Sequence, residues 1–472
     1  DLSITNVGTL NLTSLSLGAK STLTLTIDPN AGTYTSLAVA GPATLATGAK
    51  IGVSLTSLLM GQASYVVVRS TSLSSGVLDT SLLGAVPYLY DANLTTDTSA
   101  GTLAINLSRK TVAQLGLPAS SSQAYEPMVA AINTDTAIRD AFLAMQTRTG
   151  FMKAYNQLLP EHGGGVFESV SANIDAFARA IDDRQGPDAG GLWVQQTGFT
   201  MTHDGSDDAP GYTAGGIGLI GGMEWAAGPW GVVGATLGGS SSHVNPDAAS
   251  GASKLAVNTF EGGGYWRYVA GNLTLNARLG GSYMQTTSHR AIYLLNDDGD
   301  ALLAKAVANA KWSGWAMAGR VAATYEAHVG PLYARPSASI DYLRLEEDAY
   351  SEKDGGEAVD LHVSARQSSR STGFAGLVTG TRYGDPESWW GPEVTLGYRE
   401  VGSGELGSTT AKFLSGTTSF NVLADEIKGG GVVARIAVKG ENAGGAFVVE
   451  GGAETRDATA IYDLRLAAHF KF

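Results

Sequence analysis

Cysteine is absent from the 472 residues, which excludes disulfides, iron–sulfur clusters and cysteine-based zinc sites. Charge is scarce too: 16% of residues are Asp, Glu, Lys or Arg, where soluble domains average about a quarter. Basic residues number 31 against 44 acidic, and this net −13 argues against nucleic-acid binding, which needs a clustered basic footprint. No uninterrupted apolar run reaches the roughly 18 residues of a transmembrane helix. The uncharged stretch 225–246 is broken by glycine, serine, Pro229 and Pro246. Asp1 opens the chain with neither a basic start nor an apolar signal core, so any export signal is expected to have been removed. What is abundant is glycine, 62 residues of it, beside a mean hydropathy of +0.01. Such a mixture suits a β-rich membrane protein, in which polarity alternates residue by residue and averages to zero.

Three regions follow one another. Residues 1–117 carry short alternating runs such as Leu23-Thr24-Leu25-Thr26-Ile27 and Ile51-Gly52-Val53-Ser54-Leu55, separated by turns at irregular intervals. They predict the rungs of a β-solenoid with a less regular cap near 60–117; a β-sandwich of the same strands is the alternative. Residues 118–185 predict helix, first over 133–159 and then, after Gly163-Gly164-Gly165, from about Val166 to Asp183. In the second helix Phe167, Val170, Ile174, Phe177 and Ile181 form an apolar stripe, with Glu168, Asp175, Arg179 and Asp182 on other faces.

Residues 186–472 read as strand after strand. Tyr462, Leu464, Leu466, Ala468, Phe470 and Phe472 alternate with Asp463, Arg465, Ala467, His469 and Lys471. Strands of about 10–15 residues exceed the usual five or six of soluble sheets. Aromatic residues near the strand ends (Trp193, Trp225, Trp230, Tyr265, Trp266, Tyr268, Trp312, Trp315, Trp389, Trp390) predict interfacial girdles. Tight turns at Gly228-Pro229, Gly271-Asn272, Gly330-Pro331, Gly384-Asp385-Pro386 and Ala443-Gly444 alternate with longer polar segments at 203–211, 243–252, 288–310, 347–358 and 401–428. Together these predict an all-β fold dominated by an antiparallel transmembrane barrel of about twelve strands, apolar outside and charged within.

The order of parts, with Leu158-Leu159-Pro160-Glu161-His162-Gly163-Gly164 before Ser171-Ala172-Asn173, resembles the monomeric (type Va) autotransporters of Gram-negative bacteria. So do Tyr342-Leu343-Arg344-Leu345 before Ala349-Tyr350, and Gly397-Tyr398-Arg399-Glu400. The resemblance implies three domains: the autochaperone-like end of a β-solenoid passenger (1–117), a helical linker (118–185) with helix 166–184 in the barrel lumen, and an outer-membrane translocator (186–472). It implies export and anchoring of the chain's own passenger, with 1–117 at the cell surface. Phe472, Phe470, Leu466, Leu464 and Tyr462 resemble the signal read by the barrel-assembly machinery. The implied partners are that machinery, periplasmic chaperones, outer-membrane lipid and lipopolysaccharide, and the passenger itself, around a monomer. Phe167, Val170, Ile174, Asp175, Phe177, Arg179 and Ile181 would serve the lumen helix. Facing it in the inward register are Arg278, Arg320, Arg335, Asp341, Arg399, Arg435, Glu450 and Arg465.

Other chemistry finds little support. Gly216-Ile217-Gly218-Leu219-Ile220-Gly221 matches a dinucleotide motif, but Trp225 follows in a strand where a helix should open, so small lumen-facing residues explain it better. Walker A, HExxH and GxSxG patterns are absent. The acidic segments 204–208, 296–300 and 346–348 lack EF-hand spacing. No cofactor, metal or catalytic residue is assigned. Some autotransporters cleave their linker at adjacent asparagines, whereas this linker has a lone Asn173. Two rival functions stay in view, a rim hydrolase using His203, Asp204 and His289, and a passive porin.

Overall fold

A computed structural model describes residues 1–184, 190–206, 209–247, 253–385, 387–424 and 426–470. Its N-terminal region is built from parallel pairings. Leu2–Ile4 lies on Thr22–Asp28, and that strand on Lys50–Leu55, so Leu2, Leu23 and Ile51 stack in one column. A second wall joins Gly8–Leu12 to Thr33–Leu45 and then to Gln62–Ser75, again in parallel. Such stacking is that of a solenoid rather than a sandwich, because each rung buries its Leu, Ile and Val only against the next. Leu23, Leu25, Ile27, Leu37, Val39, Ile51 and Val68 are all buried. Thr102–Arg109 and Tyr90–Asp97 then pair antiparallel on the last rung and close it.

Short helices follow: α1 (Val112–Leu115), α2 (Tyr125–Ile132), α3 (Thr136–Ala144) and α4 (Arg148–Gln157). The helical stretch expected over 133–159 is split where Asp135 and Thr147 turn their side chains onto the backbone N–H groups of Ile138 and Gly150. These are N-caps, which start new helices instead of continuing old ones. The last helix, α5 (Gly165–Asp182), is the longest.

Twelve strands close an antiparallel barrel. They are β1 (Leu192–His203), β2 (Tyr212–Ala226), β3 (Val232–Pro246), β4 (Lys254–Ala270), β5 (Leu273–Leu295) and β6 (Leu302–Tyr325). β7 (Leu332–Glu347), β8 (Arg366–Thr381), β9 (Ser388–Glu405), β10 (Gly430–Asn442), β11 (Gly445–Arg456) and β12 (Thr459–Phe470) complete it. The seam pairs β1 with β12, Leu192 opposite Phe470 and His203 opposite Thr459. Apolar side chains such as Ile217, Leu219, Leu237, Leu279, Val321, Ile340, Leu396 and Ile436 stand exposed on the outer face. A band of this kind is stable only against lipid.

Two sequence expectations need correction here. Residues 288–310 are not a loop: β5 and β6 run through most of that segment, 23 and 24 residues long, and only 296–301 connects them. About ten residues suffice to cross the bilayer, so this hairpin projects far beyond it. Segments 347–358 and 401–428 likewise feed a small sheet of Tyr350–Ser351, Leu361–Val363, Ser408–Phe413 and Phe420–Leu423. The physical reason is a shared core. Ile292, Leu294, Ala304, Val359, Leu361, Phe413, Phe420 and Val422 are buried in one apolar cluster with the helices α2–α4 and the solenoid. Asp297, in the hairpin turn, accepts hydrogen bonds from the Gln146 and Thr147 N–H groups (2.8 and 3.2 Å) and from the Thr147 hydroxyl (2.7 Å) at the start of α4.

Candidate functional site: the barrel lumen

Helix α5 stands inside the barrel, and its two faces meet different walls. Gly164, in the left-handed region at φ +81°, turns the chain into the lumen; a Cβ there would lie 2.6 Å from Leu406. Val166, Phe167, Val170 and Ile174 pack on Tyr212, Ala214, Val244, Leu255, Val257, Met284, Ala316, Ala318 and Leu343. One turn deeper, Phe177 and Ile181 meet Trp193, Ile220 and Tyr265. This wall is kept low by glycine. Gly216 and Gly218 face inward and Gly221 outward, and a Cβ on Gly218 would sit 2.9 Å from the Phe177 ring. The run that matches a dinucleotide motif is thus part of the bed for a helix.

The other face of α5 is ionic. Glu168 accepts from both Arg370 (2.7 Å) and Arg456 (2.7 Å), and Ser171 also meets Arg370. Asp175 lies 3.3 Å from Arg399, Arg179 2.5 Å from Asp463, and Asp182 2.7 Å from Arg320. At the lower end Asp183 pairs with Lys439 (2.9 Å) and Arg465, and Arg184 pairs with Glu224. Every one of these partners belongs to a different stave or to a different height on it, so the helix is held in both rotation and depth.

The eight lumen charges named from the sequence all lie on the inward face with buried or nearly buried side chains. Arg320, Arg399 and Arg465 touch the helix, Glu450 lies 3.8 Å from Arg179, and Asp341 acts through Arg320 at 2.6 Å. Arg278 pairs instead with Glu261, Arg335 with Glu393, and Arg435 lies 3.6–3.9 Å from Glu454, Asp463 and Glu450. Sequence reasoning missed Arg370, Arg456, Lys439 and Glu224 as helix partners. Period-two alternation puts all four on the inward face, but their height relative to the helix is a matter of register.

Other expected residues fall elsewhere. Trp193, Tyr265 and Trp312 are not girdle residues; they are buried inward, where the Trp193 indole N–H donates to the Tyr265 hydroxyl (2.9 Å) and that hydroxyl to Glu224 (2.8 Å). A polar tip with an internal partner has no need of the interface. Trp225, Trp230, Trp315 and Trp390 are exposed. Tyr462, Leu464, Leu466 and Phe470 project outward from β12; Phe472 lies outside the described residues. His203 bonds Thr459 (2.8 Å) on the inward side, whereas His289 bonds Asn309 (2.9 Å) on the outer face, so the wall separates them. Residues 207 and 208 of the first acidic segment are not described. Among the described residues no group of three or more His, Asp or Glu side chains is placed to hold a metal ion.

An antiparallel barrel with a lipid-compatible exterior and a lumen filled by its own preceding helix defines an outer-membrane translocator. The family profile described as autotransporter beta-domain matches residues 192–448, and the chain belongs to the autotransporter family. No curated protein sequence matches the chain. The translocator domain of the autotransporter NalP from Neisseria meningitidis shares the fold at 15% identity and a TM-score of 0.51, over 66% of this chain and 99% of that one. The beta domain of the Bordetella autotransporter BrkA covers 60% of this chain and all of its own, at 17% identity and TM-score 0.42. For the transport unit of AIDA-I from Escherichia coli the values are 66% and 100%, with 10% identity and TM-score 0.44.

Proposed function

We propose that this translocator displays its own solenoid on the surface of a Gram-negative cell and keeps α5 in the pore as a plug once export is complete. In this reading residues 1–117 end the passenger, 118–164 cross the mouth, and the barrel acts as a monomeric, non-enzymatic anchor. Its partners are lipid, lipopolysaccharide, periplasmic chaperones and the barrel-assembly machinery, the last reading the outward residues of β12. The observation that carries the reading is the two-sided match of α5 to its walls: apolar residues on a glycine-lowered bed, and Glu168, Asp175, Arg179 and Asp182 each opposite an inward ion. No nucleotide is needed, because each rung that stacks outside buries surface a lone rung leaves exposed and so favours outward movement.

The linker also stays covalent in this reading. The Asn173 amide nitrogen donates to the Ser169 carbonyl (3.0 Å) and to the Ser242 hydroxyl (2.9 Å), and both bonds would have to break before it could attack its own peptide carbonyl. Conductance in planar bilayers tests the plug. The whole chain should conduct little, and deletion of 166–184 should open it while the barrel keeps its heat-modifiable gel mobility. Large steady conductance of the whole chain would favour a passive porin instead.

A further inference from the structure

The outer face of the barrel changes character sharply along β4–β6. Leu279, Met317 and Val321 stand exposed below a row of aromatic residues, Phe260 opposite Tyr283 opposite Trp315, with the last two rings 5.0 Å apart. Such a row marks the boundary of the hydrocarbon core. Above it the outward positions become Asn258, Gln285 and Ser313, then basic. One row aligns His243, Ala256, Thr287 and Lys311; the next aligns Lys254, His289 and Asn309, and Lys353 bridges to Asn309. Lys311 lies four residues past Trp315, about 13 Å along the strand, which is head-group depth for a tilted stave.

Basic groups outnumber acidic ones on this patch. Lys254, Lys311 and Lys353 are exposed and pair with no described carboxylate. Two carboxylates border it, Asp348 accepting from the Ser313 hydroxyl and Asp354 from the Asn309 amide (3.1 Å); both stay anionic, and neither is ion-paired with a lysine. Exposed cations with no bonded carboxylate favour an anionic partner at the membrane surface, and the long connections at this end put it on the external leaflet.

We propose that the outward face of β3–β6 binds the phosphorylated head group of a lipopolysaccharide molecule, with Lys254, Lys311 and Lys353 on its phosphates and Phe260, Tyr283 and Trp315 against its acyl chains. The inference rests on the translocator's orientation, which protease access to 296–301 on intact cells reports independently. The test compares wild type with Lys254→Gln/Lys311→Gln, purified from outer membranes in mild detergent, for co-purified lipopolysaccharide. Rebinding is then measured with lipid A carrying or lacking its phosphates, and with inorganic phosphate as competitor. Each lysine near an anionic lipid surface is worth roughly fivefold in affinity, so the double variant should bind about 25-fold more weakly. Arg344→Gln, which removes an outward arginine already paired with Glu346, should bind as wild type does. Equal retention by wild type and double variant, equal binding of dephosphorylated lipid A by the wild type, or displacement by millimolar inorganic phosphate would each overturn the assignment. Should the double variant not fold, the dephosphorylated lipid A arm on the wild-type protein decides alone.

Discussion

Replacing Glu168 by Gln removes one charge from the lumen helix and nothing from its shape. In the wild type that carboxylate accepts from Arg370 Nη1 at 2.7 and 2.9 Å and from Arg456 Nη2 at 2.7 Å, and all three side chains are buried. Removing one member of a buried ion pair costs about 3–5 kcal/mol, mostly because the remaining charge stays desolvated without a counter-ion. Two guanidinium groups are stranded here, but Asp175 still lies 3.8 Å from Arg370, which favours the lower end of the range. A loss of about 3 kcal/mol shifts the balance between seated and unseated helix on the order of 100-fold. Single-channel recording reads this as open probability: rare openings in the wild type, frequent ones in Glu168→Gln. Adding Arg456→Gln should recover part of the loss, since the second change removes a stranded cation; the cycle isolates the pair term. An open probability within threefold of wild type in Glu168→Gln would refute the idea that the ionic face holds the helix.

The remaining expectations concern separate parts of the molecule. Gly218→Ala puts a methyl group 2.9 Å from Phe177 and 3.0 Å from Thr197, an overpacking that should cost about 1–3 kcal/mol. A lower temperature for the heat-modifiable gel shift, restored by Phe177→Leu, would register it. Asp297→Ala frees the start of α4, including its Thr147 N-cap, from the β5–β6 turn and should cost about 1 kcal/mol, seen as faster amide exchange over 146–157 with the barrel unchanged. Asp28 is held below the usual carboxylate range by the Ser57 hydroxyl, which donates at 2.5 Å, and by the Ala31 N–H. A depressed carboxylate stabilises the fold above its unfolded pKa and loses that contribution as pH falls through its folded value. The solenoid of Asp28→Asn should therefore melt with less dependence on pH below about 4 than wild type. Mass spectrometry of the mature protein should find the Asn173–Ile174 bond intact.

Alternation alone placed much of this molecule. Arg278, Arg399 and Arg465 on one face and Leu279, Leu396 and Leu464 on the other need only period-two geometry and a membrane to become lumen and lipid. The stripe of α5 was equally legible, since residues three and four apart share a helix face. Loops were less so. Segments 288–310 and 401–428 look polar and turn-rich, yet hold Ile292, Leu294, Phe413 and Phe420, whose burial depends on helices more than a hundred residues away in the chain.

Local pattern therefore decided strand identity, facing and the existence of an amphipathic helix before the barrel, because backbone periodicity assigns each side chain a face without reference to distant neighbours. Which arginine meets which carboxylate was settled only by barrel closure. Register and stagger around twelve staves set the heights of Arg370, Arg456 and Lys439 against α5. The fusion of solenoid, helices and the β5–β6 hairpin into one core is of the same kind. It is a long-range apolar burial, and hydrophobic attraction carries no address within the chain.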